Sequence, residues 1–275
     1  MPELPDVEIF AKNLNKIFAG RKLLKVKVIY GKKLPDTAKE LSKNLEGKKL
    51  KRIYRSGKEM RFEFSDGTLA GLHLMLTGDI FVFEGKNEHH STIIELYFEG
   101  DKNIALTDRM RNANLRLNPV DKDGIDALEI NFKNLKALLE RNTTIKNIML
   151  DQDLIRGIGN GYSDEILWET RISPYSIASA IPDEKVRELA KAIPKMLKEA
   201  TKKIDKTHPG IVNNEVKEFL KIHRKADKSP TGHTIHIDTK GGRKTYYTDE
   251  QVLYGAKAKA KAKEAKTKVK AKAKA

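Results

Sequence analysis

The chain has 275 residues, of which 39% are hydrophobic, and it carries a formal net charge of +16. This composition allows a real core in one large domain or two modest ones. No apolar stretch approaches the length of a membrane span, and the start lacks the basic flank and apolar run of a signal peptide. The absence of cysteine excludes disulfides and thiolate metal sites.

The positive charge is shared between the body of the chain and its end. Residues 256–275 hold nine lysines and one glutamate. A basic body together with a basic tail favours a polyanionic partner, although ordinary solvated lysines are an alternative explanation. The tail alternates Ala with Lys, and repulsion between its lysines predicts disorder there.

The first predicted element is a helix over VEIFAKNLNKIFAG, whose apolar residues recur at helical spacing and which ends at Gly20. It follows the start MPELPDVE, in which prolines and acids suit a first helical turn. The same start also permits chemistry. Once Met1 is removed, Pro2 carries a secondary amine whose reference pKa is about 8, so a sizeable fraction is neutral and nucleophilic.

Attack of this amine on an aldehyde carbon gives an iminium ion whose positive charge persists and acidifies the adjacent carbon. On a deoxyribose, this drives loss of the 3′ phosphate by β-elimination. Glu3 follows directly in the sequence, where a proton shuttle is needed. Because many chains begin with MPE, this signal is weak without further motifs.

Strands are predicted from about residue 22 to residue 117. Alternating or β-branched runs, several of them separated by turn residues, are KVKVIY, KRIYRS, MRFEFSDG, DIFVFEG, TIIELYFEG and NIALTD. Together with the first helix, they predict an antiparallel sandwich or barrel.

After these strands, the apolar residues recur at helical spacing. After a linker-like stretch, LNPVDKDGIDALE, helices are predicted over INFKNLKALLERN, TIKNIMLDQDLI, YSDEILWETR and DEKVRELAKAIPKMLKEATKKI, with EVKEFLKIHR as a further candidate. Alternation returns in HTIHIDT and RKTYYT, which the turn KGG joins into a hairpin.

The segment DLIRGIGNGYSDEILW is the most specific part of the chain. Its glycines allow a tight turn with bare backbone amides. Such amides, a following helix N-terminus and the side chain of Asn160 can bind phosphate. The alternative is a plain turn between helices, with Asn160 as an N-cap.

Taken together, MPELPDVE, SGKEMRF, GLHLMLTGD, TDRMRN, IRGIGNGYSDEIL and GGRKTYY occur in the order typical of one family. Over roughly residues 1–251 the chain resembles the formamidopyrimidine-DNA glycosylase and endonuclease VIII family. The resemblance implies an α+β multidomain fold. Its expected parts are an N-terminal helix and antiparallel β-sandwich (1–118), a linker (119–126), a helical helix–two-turn–helix domain (127–222), a hairpin finger (223–255) and a disordered tail (256–275).

The resemblance also implies a bifunctional DNA glycosylase and abasic-site lyase of base excision repair. Such an enzyme excises oxidised bases through an N-terminal proline Schiff base and cleaves the strand by β- or β,δ-elimination. It implies Pro2 as the nucleophile, Glu3 as its acid–base partner and Lys58 as the lysine that holds a phosphate beside the lesion. Asp6 stands where the family usually has Glu, which shortens the reach of this supporting acid by one methylene.

Further residues are implied to contact the DNA. Asn160, with Gly159 and Tyr162 of the same motif, and Arg111 and Arg243 are expected to contact it, chiefly at phosphates. A flipped nucleotide leaves a hole that side chains must fill, and Leu76 and Met110 are the candidate fillers. A core role is the alternative for Leu76.

The hairpin departs from many family members, which carry four zinc-binding cysteines there. Lys228, Thr231, Thr248 and Glu250 lie near the expected positions. We therefore expect a finger without zinc, held by packing of Ile235, Ile237, Tyr246 and Tyr247, and no metal or other cofactor.

The expected partner is duplex DNA with an oxidised base or an abasic site, bound by a monomer in the cytoplasm, at the nucleoid and not at a membrane. Two alternatives stay open: a non-catalytic binder of damaged DNA with the same fold, and a basic nucleoid- or ribosome-associated protein. Asp6 and the absent cysteines favour the binder. Pro2 and Glu3 argue against it, because a pure binder needs no free secondary amine.

Overall fold

The computed structural model describes residues 1–240 and 242–255, which form two compact units. The N-terminal unit consists of Met1–Asp126, Arg156–Ile158 and Leu197–Phe219, and the second unit contains Ala127–Ile155, Gly159–Met196 and the described residues from Leu220 onward. The predicted division into domains stays a prediction. The predicted disordered tail lies outside the described residues.

Six α-helices occur in the described residues, and their ends follow local capping rules. Thr37, Asn131 and Thr144 each accept a hydrogen bond from a backbone N–H in the first turn of the helix that follows. The helices are α1 (Leu4–Phe18), α2 (Ala38–Leu45), α3 (Phe132–Leu139), α4 (Ile145–Leu150), α5 (Asn160–Glu169) and α6 (Asp183–Thr207).

Twelve strands occur in the described residues. They are β1 (Leu23–Val28), β2 (Leu50–Ser56), β3 (Glu59–Phe64), β4 (Leu69–His73), β5 (Gly78–Glu84), β6 (Thr92–Phe98), β7 (Lys102–Asp108), β8 (Asn114–Leu117), β9 (Ile125–Asp126), β10 (Ile155–Arg156), β11 (His236–Lys240) and β12 (Arg243–Tyr247). Two antiparallel four-stranded sheets have the orders β1-β6-β7-β5 and β2-β3-β4-β8, and β11 and β12 form a hairpin.

The core of the N-terminal unit joins α1 to both four-stranded sheets. Phe10, Leu14 and Phe18 of α1 are fully buried in the same cluster as Ile94 of β6 and Phe62 of β3. Burial of this apolar surface is the main stabilising contribution to the unit. The predicted helix and strands are present, and the α+β fold class is confirmed.

Five helices and strands were not predicted, including the two-residue strands β9 and β10, and one prediction was wrong. α2 has eight residues and buries two leucines, and β4 contains Gly71, which weakens a strand pattern. Strand β8, also unpredicted, has four residues. EVKEFLKIHR contains no helix in the structure. There the Glu165 carboxylate accepts hydrogen bonds from the backbone N–H groups of Lys221, Ile222 and His223, so these donors do not serve a helix.

The hairpin of the second unit packs through fewer of its predicted residues than expected. Ile235 is buried with Trp168 and Ile222, and Tyr246 packs against this cluster. Ile237, however, is 49% exposed. Among the described helices, none is both long and apolar enough to cross a membrane.

Candidate active site

The two residues of the predicted chemistry directly precede α1. Pro2 is buried, and Glu3, the residue that precedes the helix, is 3% exposed. Met1 is present in this structure, so the Pro2 nitrogen is a peptide nitrogen and the terminal ammonium lies 3.0 Å from a Glu215 carboxylate oxygen. Pro2 gains an amine only after Met1 is removed.

Asp6 links the first turn of α1 to a second part of the same unit. Its Oδ2 accepts a hydrogen bond from the Glu3 N–H at 3.0 Å, and its Oδ1 accepts one from the Val216 N–H at 3.1 Å. Burial raises the pKa of Asp6 to about 7, although both backbone hydrogen bonds lower it. The side chain, although shorter than the usual Glu, therefore reaches both backbone donors.

A short segment, residues 156–158, brings the start motif and Lys58 together. The Leu4 N–H donates to the Gly157 carbonyl at 3.1 Å, and the Lys58 ammonium donates to the next carbonyl, that of Ile158, at 3.2 Å. Gly157 has a φ of 104°, and a Cβ there would lie 2.6 Å from Leu4 Cδ1. Only glycine fits this backbone conformation and this close approach.

Arg55 fixes the turn that carries Lys58. This turn joins β2 to β3, and the Arg55 Nη1 donates to the Gly57 carbonyl at 3.1 Å. The same guanidinium bonds Glu8 of α1 at 2.7 Å and Asp126 at 2.7 Å. Arg55 therefore connects the helix that begins at the start motif to the turn of Lys58.

Several positive charges, among them that of Lys58, act on the nearby imidazole of His73. Burial, followed by the positive charges of Lys58, Arg116, Arg61 and Lys122, lowers the pKa of His73 to about 4. A neutral imidazole accordingly accepts a hydrogen bond at Nδ1 from the Met75 N–H, at 2.9 Å. Part of this positive charge is compensated, because Glu59 pairs with both Arg61 and Arg116.

Both candidate filling residues lie exposed on neighbouring loops. Leu76 is 60% exposed, which excludes a core role, and Met110 is 51% exposed. Asp108 bonds both loops, because it accepts hydrogen bonds from the Thr77 hydroxyl and from the Met110 N–H. Arg111, with a φ of 52°, lies over the ring of Tyr30 at 4.3 Å. A filling role and an Arg111–DNA contact stay predictions.

In the second unit, Asn160 contacts the backbone of Lys244, the residue that follows Arg243. Gly159, not Asn160, is the N-cap of α5. The Asn160 Nδ2 donates to the Lys244 carbonyl at 2.7 Å, which uses one of its two hydrogens. Arg243 is the exposed first residue of β12. Tyr162 is 5% exposed, so its predicted DNA contact requires the ring to be uncovered.

A buried ion pair fixes the backbone beside Arg243. The Lys146 ammonium lies 2.6 Å from Asp164 Oδ1 and donates to the Thr245 hydroxyl at 2.9 Å. Asp164 Oδ2 accepts from the Tyr246 N–H at 3.1 Å. Strand β12 is therefore tied by charged side chains to α4 and α5.

Two family models match consecutive parts of this chain. The family model of the formamidopyrimidine-DNA glycosylase N-terminal domain matches residues 1–115, and that of the H2TH domain matches residues 124–209. The chain belongs to the formamidopyrimidine-DNA glycosylase family. The formamidopyrimidine-DNA glycosylase of Lactobacillus gasseri is 30% identical over 279 residues, covering 92% of this chain and 100% of its own. That of Ligilactobacillus salivarius is 32% identical over 217 residues, covering 73% and 78%.

Solved structures of glycosylases share the fold. The complex of Lactococcus lactis Fpg with abasic-site DNA has a TM-score of 0.81 at 23% identity, covering 90% of this chain and 99% of that one. A mutant of the same protein with Fapy-dG-containing DNA gives 0.81 at 24%, covering 91% and 99%. These similarities establish the fold.

Several residues of the site were not predicted from the sequence. The quoted family motifs contain or adjoin three of them, Arg55, His73 and Asp108. Nothing in the spacing of these residues predicts the hydrogen bonds that they form with the loops. Lys146 and Asp164 lie in predicted helices, where a charged residue is usually solvated. Among residues 1–240 and 242–255, no group of three or more His, Asp or Glu side chains is placed to hold a metal ion.

Proposed function

We propose that this glycosylase family member is a bifunctional enzyme of base excision repair, which acts on duplex DNA as a monomer at the nucleoid. It excises oxidised bases and then nicks the strand at the resulting abasic site. The observation that carries the proposal is the pair of consecutive carbonyls, Gly157 and Ile158. They accept hydrogen bonds from the Leu4 N–H and the Lys58 ammonium and so hold the start motif beside this lysine.

The reaction begins with removal of Met1, which converts the Pro2 nitrogen into a secondary amine. This amine attacks C1′ of the damaged nucleotide and loses its proton, and the base leaves with the electron pair of the glycosidic bond and takes up a proton. Glu3 protonates the ring oxygen as the sugar opens, which leaves an iminium ion between Pro2 and C1′.

The iminium charge then acidifies C2′. Loss of a C2′ proton expels the 3′ phosphate, and water hydrolyses the iminium to release the amine. Lys58 binds a phosphate beside the lesion, and Asn160 and Arg243 bind phosphates from the second unit. Because much of the affinity is phosphate neutralisation, binding should weaken steeply as salt rises.

The non-catalytic alternative loses one of its two arguments. It rested partly on Asp6 in place of Glu, yet Asp6 still bonds both the Glu3 and Val216 backbone N–H groups. Asp6 therefore accepts both backbone hydrogen bonds despite its shorter side chain.

Borohydride reduction in the presence of abasic-site DNA tests the proposal. We expect a covalent protein–DNA adduct with the processed protein, because hydride reduces the iminium to a stable amine. The adduct should be lost when Met1 is retained and when Pro2 is replaced, as in Pro2→Gly with a blocked terminus. Intact mass spectrometry reports the state of Met1. Processed wild-type protein that binds the DNA without trapping or cleavage would establish the non-catalytic binder instead.

A further inference from the structure

Two short turns close the base of the β11–β12 hairpin. In residues 228–234, before β11, the Ser229 N–H donates to the His233 carbonyl at 2.8 Å and Lys228 forms a backbone bridge with Thr234. In residues 248–251, after β12, the Thr248 N–H donates to the Gln251 side-chain oxygen at 2.8 Å. Both turns thus have a defined backbone at the place where many relatives carry cysteines.

One carboxylate receives side-chain donors from both turns and from α5. Glu250 Oε2 accepts from the hydroxyl of Thr231 at 2.7 Å, from that of Thr248 at 3.1 Å and from the indole N–H of Trp168 at 3.1 Å. Its Oε1 lies 3.1 Å from an Arg171 guanidinium nitrogen. The Glu250 side chain is 12% exposed, so water competes little for these donors.

The contacts favour an ionised carboxylate. Burial raises the pKa of Glu250, but the hydrogen bonds from Thr231, Trp168 and Thr248 and the charge of Arg171 outweigh it, and the net pKa is lowered. Hydrogen bonds to an ionised acceptor are stronger than neutral ones. Three donors on one oxygen, drawn from three chain segments, give a cross-link rather than a local turn.

We propose that Glu250 is a positioning residue that closes the finger, with an anion and surrounding donors in the place of a cation and surrounding thiolates. Thr231, Thr248 and Glu250 itself lie near three of the four positions where many family members carry zinc-binding cysteines. Thr248 directly follows β12, whose first residue is Arg243, so the cross-link fixes the strand that presents this arginine. The consequence for DNA binding rests on the proposed function, whereas the cross-link itself does not.

The neighbouring acid provides a matched control. Asp249 has a side chain that is 79% exposed, and its carboxylate lies 3.1 Å from His236. Both Glu250→Gln and Asp249→Asn remove one negative charge from the same turn. Loss of a negative charge by itself should leave DNA affinity unchanged or tighten it. If the cross-link positions Arg243, Glu250→Gln should weaken DNA binding, whereas Asp249→Asn should leave it unchanged or tighten it.

The first measurement is hydrogen exchange without DNA. We expect backbone amides of residues 228–251 to exchange roughly tenfold faster in Glu250→Gln and at the wild-type rate in Asp249→Asn. Equal exchange in wild type and Glu250→Gln would overturn the proposal. If Glu250→Gln does not fold, the near-isosteric variants Thr231→Val and Thr248→Val replace it, each with a smaller expected increase.

The second measurement is affinity for an abasic-site duplex. Glu250→Gln should weaken binding about fivefold, and in an Arg243→Ala background it should weaken binding no further, because it acts through that arginine. An equal loss in both backgrounds would refute positioning of Arg243. Faster exchange with unchanged affinity would support the cross-link but refute positioning of Arg243, whose own role in DNA binding is tested by the affinity of Arg243→Ala.

Discussion

Two regions of the molecule hold their predicted phosphate contacts in different ways. In the N-terminal unit, the Lys58 ammonium donates to a backbone carbonyl, and the turn that carries Lys58 packs beside Gly157. In the second unit, the charged pair Lys146 and Asp164 holds the backbone beside Arg243. The first arrangement depends on the absence of a side chain at one glycine. The second depends on two buried charges that must both be present. The two regions should therefore fail under different substitutions, although both are expected to contact phosphate.

The largest expected effect comes from leaving one of the buried charges without its partner. Asp164→Asn keeps acceptor and donor groups but leaves the Lys146 cation uncompensated, which should cost about 3–5 kcal/mol of unfolding free energy. Asp183→Asn is the control, because Asp183 forms an exposed pair with Lys136 and its loss should cost under about 1 kcal/mol. Urea unfolding of both variants measures the difference, and similar losses would contradict a special role for the buried pair.

A pH effect of intermediate size is expected in the N-terminal unit. The pKa of His73 is lowered from its usual 6.5 to about 4, so the folded state binds its proton less readily than the unfolded state. The stabilisation is fully present above pH 6.5 and is lost as pH falls through about 4. His73→Asn, which keeps an acceptor for the Met75 N–H, should reduce this acid loss by up to about 3 kcal/mol.

Unfolding free energies of wild type and His73→Asn at pH 7.5 and pH 4.5 provide the measurement. The variant should be less sensitive to acid than wild type. Parallel losses in the two proteins would assign the acid sensitivity to other groups.

The smallest of the three effects comes from adding one methyl group. Gly157→Ala places a Cβ 2.6 Å from Leu4 Cδ1 at a φ of 104°, which should cost about 1–3 kcal/mol and displace the start motif. Gly67→Ala has the same kind of backbone, with a φ of 88°, but nothing within 4 Å of the added Cβ. Borohydride trapping should slow in Gly157→Ala and not in Gly67→Ala, and equal rates would show that the close contact is dispensable.

The sequence predicted those elements whose pattern is local. α1 has a regular apolar period and a proline–acid start, and β12 follows a glycine turn. α2 was missed although Thr37 and Glu40 form a capping box, because its buried face has only two leucines. The false helix over EVKEFLKIHR failed because its donors bond Glu165, far away along the chain.

The same limit applies to the site. Family motifs in the sequence led to the prediction of four site residues, Pro2, Glu3, Lys58 and Asn160. The contacts that hold these side chains could not be predicted, because Ile158 is 100 residues from Lys58 and Lys244 is 84 residues from Asn160. Pairing over such separations is decided by the folded core and leaves no periodic signal.

The two compact units also have a consequence for protein engineering. Neither is a continuous stretch: the chain passes from one to the other after Asp126, Ile155, Ile158, Met196 and Phe219. A fragment that stops at residue 118 would lack the Ile158 carbonyl, which accepts a hydrogen bond from Lys58, and the Val216 N–H, which donates to Asp6. Neither unit can therefore be exchanged between relatives as one continuous segment. A chimaera must exchange several separate segments at once.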